Sequence, residues 1–201
     1  MAKIPEPDKP VIKAINKLSE KHLFGLYEQM FSEVGIVNVL QKTSESICEI
    51  LNAERATIHI AIKETQELKS VALIGNVSQS IIIPINNESL AGFCALAKRS
   101  FLVNDAYGEL TYIDPNIKFN KSWDAMNNFR THDVICIPAI FKEEIIGVVQ
   151  VINSKEEKFH ESDIPPLENI TRFIAYALYH ARLYDEMATF KCLEKEKAEF
   201  M

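Results

Sequence analysis

Between residues 36 and 62 the hydrophobic period shifts from a helical to a strand-like spacing. Ile36, Leu40, Ile47, Ile50 and Leu51 recur at intervals near three and four, with Ser44, Glu45 and Glu49 on the other face. That pattern predicts an amphipathic helix ended by Asn52-Ala53-Glu54. Ile58, Ile60 and Ile62 then alternate with Thr57, His59 and Ala61, the signature of a half-buried strand over Ala56–Ile62. Upstream, Val11 to about Phe31 gives a weaker helical pattern interrupted by Gly25.

More strands follow. Glu64-Thr65-Gln66-Glu67 reads as a hairpin turn, Leu68–Ile74 as a second strand stopped by Gly75-Asn76, and Ser80–Ile85 as a third. Asn87 is the expected N-cap of the next helix, with Glu88 at its positive start and Lys98-Arg99 at its negative end. Phe101–Asn104 is a short strand. Asp114-Pro115 predicts another helix, reaching Asn127 or Asn128, with Asp114 as cap. Two apolar strands, Val134–Phe141 and Ile145–Ile152, flank a polar turn of Lys142, Glu143 and Glu144. Strands joined by short turns, with helices between groups of them, imply an antiparallel sheet in an α+β arrangement.

Ser162 and Asp163 are expected to cap a last helix from about Ile164, with Pro165 and Pro166 tolerated in its first turn. Ile170, Ile174, Ala177, Ala181, Tyr184 and Ala188 form a heptad-like seam, and Leu178, Leu183, Met187, Phe190 and Leu193 add apolar surface. One stripe can lie on the domain's own sheet while the other serves a partner. A single core-facing helix is the plainer alternative, but the apolar positions continue to Leu193, about 45 Å of helix, so a homodimer through the terminal helices is expected. The implied organisation is a lead-in and helix over 1–35, one α+β domain over 36–163 and a dimerisation helix over 164–201.

Composition removes several function classes. A net charge of −6 and a pI near 5.5 argue against a nucleic-acid or anionic-membrane partner. Apolar runs are far too short for a membrane span, and the N-terminus lacks a signal-like apolar region, so a cytoplasmic location is expected. Cys48, Cys94, Cys136 and Cys192 are isolated, without a C-x-x-C pair, and the five histidines show no metal-ligand spacing. No G-x-S-x-G or phosphate-cradling glycine loop is present. The chain offers no catalytic constellation.

What it does offer is a way to bind. Helices starting near Ser89 and Asn116 can point backbone N–H groups into a shared cavity. Asn120, Asp124, Asn127 and Thr131 are spaced 4, 3 and 4, one polar face of the second helix and its exit. A solvated surface face explains that spacing equally well.

At these residues the chain resembles a GAF domain, in particular those of cyclic-nucleotide phosphodiesterases and adenylyl cyclases. The likeness covers roughly residues 36–188 and rests on L-A-G-F from Leu90, N-D-A-Y from Asn104, F-N-K-S-W-D-A-M-N-N-F-R-T from Phe119, V-I-C-I-P-A from Val134, and A-L-Y-H-A-R-L-Y from Ala177. The family's N-K…F…D-E signature is partly kept: Asn153, Phe159 and Asp163 are in place, while Ser154 stands for the lysine and Ile164 for the glutamate. The resemblance implies a GAF-like (profilin/PAS-like) fold with about six antiparallel strands flanked by helices. It also implies a non-catalytic sensory module, with a ligand pocket lined by Thr57, Leu73, Leu90, Ala91, Asn120, Asp124, Asn127, Thr131 and Gln150. In that analogy the N–H groups of Leu90 and Ala91 meet a cyclic phosphate, Asp124 accepts from a purine N–H, and Leu73 lies against the base. Cyclic AMP or cyclic GMP is the implied ligand. Ile74 falls where cyclic-GMP-binding relatives place a polar residue, which favours cyclic AMP, another ligand or none. Two alternatives accompany this reading: a ligand-free dimerisation and relay module whose pocket is filled by Trp123 or Met126, and a free methionine sulfoxide reductase using Cys94 or Cys136.

Overall fold

The computed structural model describes residues 36–73 and 80–199. In chain order the elements are α1 (Ile36–Leu51), β1 (Ala53–Ile62), β2 (Glu67–Leu73), β3 (Ile82–Pro84), α2 (Leu90–Ala97), β4 (Phe101–Val103), α3 (Ser122–Met126), β5 (Val134–Phe141), β6 (Glu144–Ser154) and α4 (Ile164–Glu199), the last preceded by a 3-10 turn at Glu161–Asp163. The expected helix over Val11–Phe31, and the 1–35 segment that contains it, lie outside the described residues, as do Ile74 and the Gly75-Asn76 stop.

The strands form one six-stranded antiparallel sheet in the order β3-β2-β1-β6-β5-β4. Its centre is the β1–β6 pair, registered with Thr57 opposite Gln150 and His59 opposite Val148. Lys142 and Glu143, both with positive φ (48° and 66°), turn β5 into β6 as a tight two-residue loop between paired Phe141 and Glu144. Pro138 stands on β5 beyond the stretch that pairs with β4, so its missing N–H leaves no gap in that ladder.

Both faces of the sheet are covered, which is why β5 and β6 read as nearly unbroken apolar runs. On one face α1 and α4 enclose Leu40, Ile47, Ile58, Ile135, Ile137, Val149, Val151, Leu167, Ile170, Ile174 and Leu178. On the other, α2 packs Leu90, Phe93 and Cys94 against Leu68, Val103, Val134, Cys136 and Val148. Asn52, left-handed at φ 49°, ends α1 where the sequence breaks. Ser44 corrects the amphipathic reading: it is fully buried, in line with Leu40, Ile47 and Cys48 on the core side of α1, while Glu45 and Glu49 stay outside.

Two helix starts also differ from expectation. α2 is capped by Ser89, whose Oγ accepts the Gly92 N–H at 3.0 Å, not by Asn87. Asn87 instead offers its backbone carbonyl to the Lys118 N–H at 2.7 Å. At the far end Lys98, left-handed at φ 51°, already lies past the last turn, and its ammonium reaches the Glu143 carbonyl at 2.6 Å. The helix expected from Asp114 is confined to the five residues Ser122–Met126. The Asp114 carboxylate folds onto the Asn116 N–H at 2.9 Å, Lys118 donates across to Asn87, and the Asn120 side chain accepts both the N–H and hydroxyl of Ser122. These local side-chain bonds replace the helical ladder with a chain of turns.

α4 spans 36 residues, about 54 Å. The first two residues of the expected seam, Ile170 and Ile174, are buried in the domain's own core, and Phe173 and Tyr176 are exposed on another side. Glu144 on β6 holds Arg182 with paired contacts of 3.1 and 3.2 Å. The side chains of Tyr184, Ala188, Cys192 and Leu193 lie outside what is described.

Candidate ligand site

Period two on β1 sends Ala56 and Ile58 to the helical core and Arg55, Thr57 and His59 to the opposite face. Gln150 and Ile152 of β6 continue that floor. α2 meets the floor with its N-terminus, and the loop carrying α3 crosses above. Between them lies a cavity of about 100 Å³, room for several waters at roughly 10–15 Å³ each.

Eight of the nine residues expected from sequence line this one cavity: Thr57, Leu90, Ala91, Asn120, Asp124, Asn127, Thr131 and Gln150. The ninth, Leu73, is paired through its backbone with Thr57, and its side chain lies outside the described residues. The four lid positions do not form one helical face. Asn120 precedes α3, Asn127 caps its end and Thr131 comes after it; only Asp124 lies inside.

The lid is held from within. Asp124, 5% exposed, accepts the Thr131 N–H at 2.7 Å, the Thr131 hydroxyl at 2.8 Å and the Tyr107 hydroxyl at 3.0 Å. The expected free acceptor for a ligand is therefore largely engaged; two oxygens with about four lone-pair sites retain room for about one further donor. Arg55 lies over the Phe129 ring at 3.4 Å, fastening floor to lid. Burial draws its guanidinium below the usual range, against the opposing pull of Asp124 and Glu54. At the lid's exit, the Asn153 side chain accepts the His132 N–H at 2.7 Å and donates to the Arg130 carbonyl at 2.8 Å and to Glu54 at 2.9 Å. Asp133 accepts the Phe159 N–H at 2.8 Å, and Asp163 caps the His160 N–H at 2.8 Å. The retained residues of the partial motif thus stitch lid, sheet and α4 together without its lysine.

The start of α2 is suited to an anion. Ser89 satisfies Gly92, and the Phe93 N–H bonds the Ser89 carbonyl at 2.9 Å, so the N–H groups of Leu90 and Ala91 have no partner within the helix. Gly92 is required here: a Cβ would fall 2.4 Å from the Pro84 carbonyl oxygen, forcing the helix start off β3.

Sequence reasoning missed Arg55, His59, Phe119 and Phe129 as lining residues, and reached Ser89 only as a helix start. The available signal was parity, because Arg55 and His59 share a strand face with Thr57. Cys48, Cys94 and Cys136 are buried among apolar neighbours, placed for packing. Burial pushes the Cys94 and Cys136 thiols well up and raises Cys48 to about 11, which disfavours thiolate at neutral pH. Among the described residues no group of three or more His, Cys, Asp or Glu is placed to hold a metal ion. None of the described helices is long and apolar enough to cross a membrane.

The sequence profile of the GAF domain matches residues 36–178. The chain belongs to the GAF family. Among curated relatives, this GAF chain is 21% identical over 165 residues to a probable 3′,5′-cyclic phosphodiesterase, pde-5, of Caenorhabditis elegans, covering 77% of this chain and 22% of that protein. It is 24% identical over 186 residues to a cGMP-specific 3′,5′-cyclic phosphodiesterase of Drosophila pseudoobscura pseudoobscura, covering 84% of this chain and 16% of the relative. It therefore spans about a fifth of those relatives' length. Similar solved structures include the GAF domain of a phosphoenolpyruvate-protein phosphotransferase from Coxiella burnetii (TM-score 0.68, 18% identity, 86% of this chain and 98% of that one). Another is a free methionine-R-sulfoxide reductase from Neisseria meningitidis in complex with its substrate (TM-score 0.67, 15% identity, 92% and 98%). At these identities the structural likeness speaks to the fold alone.

Proposed function

We propose that this GAF domain is a non-catalytic sensor that binds a cyclic nucleotide, cyclic AMP or cyclic GMP, in the cavity beneath the α3 loop. The observation that carries this reading is the convergence of an anion-suited helix start at Leu90 and Ala91 with polar floor and lid groups on one hollow. The relationship to cyclic-nucleotide phosphodiesterases supports it. Thr57, Asn120, Asn127, Thr131 and Gln150 would contact the nucleotide, and Asp124 would chiefly hold the lid's shape. Binding would tighten the lid on the sheet, and the strain would reach α4 through the Asn153–Asp133–Phe159 contacts and the Glu144–Arg182 pair, biasing a homodimer formed along the terminal helix. Thermal-shift titration with cyclic AMP and cyclic GMP tests it. A rise in melting temperature that weakens in Thr57→Val supports the reading; no rise at millimolar nucleotide overturns it.

A second reading, a ligand-free dimerisation and relay module, is favoured by one observation: Asp124, Thr131 and Tyr107 already satisfy each other. Against it, Met126 is 76% exposed and does not fill the cavity, and Trp123 lines the hollow without closing it. Against the reductase alternative, the two thiols it would use, Cys94 and Cys136, are buried with raised proton affinity.

A further inference from the structure

His59 is the least exposed polar side chain of the cavity, at 2%. Among the described residues neither its Nδ1 nor its Nε2 has a hydrogen-bond partner. Its strand face is the cavity face, shared with Arg55 and Thr57, and its backbone stands beside an irregularity in the β1–β2 register between Ile58 and His59. Gln150, diagonal to it across the β1–β6 pair, is close enough to raise its proton affinity, yet no hydrogen bond of ordinary length and angle joins them.

An imidazole with two idle nitrogens in a sheet interior is poor structural design, because buried polar groups are normally paired. An apolar side chain of similar size would pack there without that defect. The arrangement makes sense when the missing partner is a molecule in the cavity. With the helix start at Leu90 and Ala91 taking an anionic group, the floor pair of His59 and Gln150 is left for the neutral part of the same molecule.

We propose, resting on the cyclic-nucleotide reading above, that His59 contacts the ligand directly and hydrogen-bonds the polar edge of its base. A neutral imidazole presents one N–H donor and one acceptor, and either nitrogen can carry the proton. The Gln150 carboxamide can turn to match. The pair therefore suits an adenine edge or a guanine edge, and both nucleotides lose affinity together when His59 is removed.

The test is calorimetric titration of the whole chain with cyclic AMP and with cyclic GMP, in wild type, His59→Phe and His59→Gln, beside unliganded melting curves. Expected are a loss of about tenfold for both nucleotides in His59→Phe, the worth of one buried hydrogen bond, and recovery of most of that loss in His59→Gln. Unliganded His59→Phe should melt at or above wild type. Wild-type binding with His59→Phe within twofold of it overturns the contact while the sensor reading stands. A His59→Phe protein that melts well below wild type makes His59 a structural core residue and overturns the contact as well. Failure of wild type to bind either nucleotide overturns both.

Discussion

Asp124 grips Thr131 twice, taking its backbone N–H at 2.7 Å and its hydroxyl at 2.8 Å through different carboxylate oxygens. The six residues between them become a closed loop over the sheet, with Tyr107 bonded to the same carboxylate. Asp124→Ala would leave a buried N–H unpaired and lose charge-assisted bonds, costing roughly 2–4 kcal/mol of stability. Thr131→Val keeps the N–H bond and removes only the hydroxyl, for about 1 kcal/mol. Urea denaturation of the two variants checks the order; equal costs would show that the carboxylate does not organise the lid.

The lid also shows where sequence reading reached its limit. Period two on β1, the apolar β5–β6 hairpin and the α1 stripe were legible because burial imposes a period on residue type. The Asp114–Asn128 stretch was not, since Asp114 and Asn120 look like helix-compatible polar residues but bond to their own neighbours two positions on. The GAF resemblance nevertheless brought Asn120, Asp124, Asn127 and Thr131 to one cavity, because matching motif positions does not require knowing the local backbone. His59 was hidden for the opposite reason: its place in an alternating strand made it look like the solvated half of the pattern.

Gly147 sits where β6 passes close to β1. A Cβ there would lie 2.1 Å from the His59 carbonyl oxygen, and backbone cannot retreat as a flexible side chain can. Gly147→Ala should cost roughly 2 kcal/mol or more and shift the β1 amide signals around His59. A variant as stable as wild type, measured by thermal denaturation, would refute that close approach.

Burial pulls His59 down to about 4 from its ordinary 6.5. Between those values the unfolded chain binds the extra proton, so this contribution to stability is fully present above about 6.5 and is lost as pH falls toward 4. Its size is on the order of 3 kcal/mol. Arg55 and Asp124 face the same cavity, so the informative quantity is the difference between wild type and His59→Phe. Wild type should lose stability relative to the variant on acidification; parallel pH profiles would contradict a buried neutral imidazole.

Cys94 and Cys136 should resist alkylation in the native state at neutral pH and react only on unfolding, as burial holds both thiols protonated. Peptide mapping after iodoacetamide treatment reports each cysteine separately. Rapid native labelling of either would reopen thiol chemistry near the cavity.

The most direct test is a nuclear magnetic resonance titration of the isotopically labelled chain with cyclic AMP and with cyclic GMP. The expected result is saturable shifts concentrated at Thr57, Leu90, Ala91, Asn127 and Thr131, and weaker ones along the proximal part of α4. Spectra that stay unchanged at millimolar nucleotide, or shifts scattered over the outer surface, would contradict a binding site beneath the Asp124–Thr131 loop.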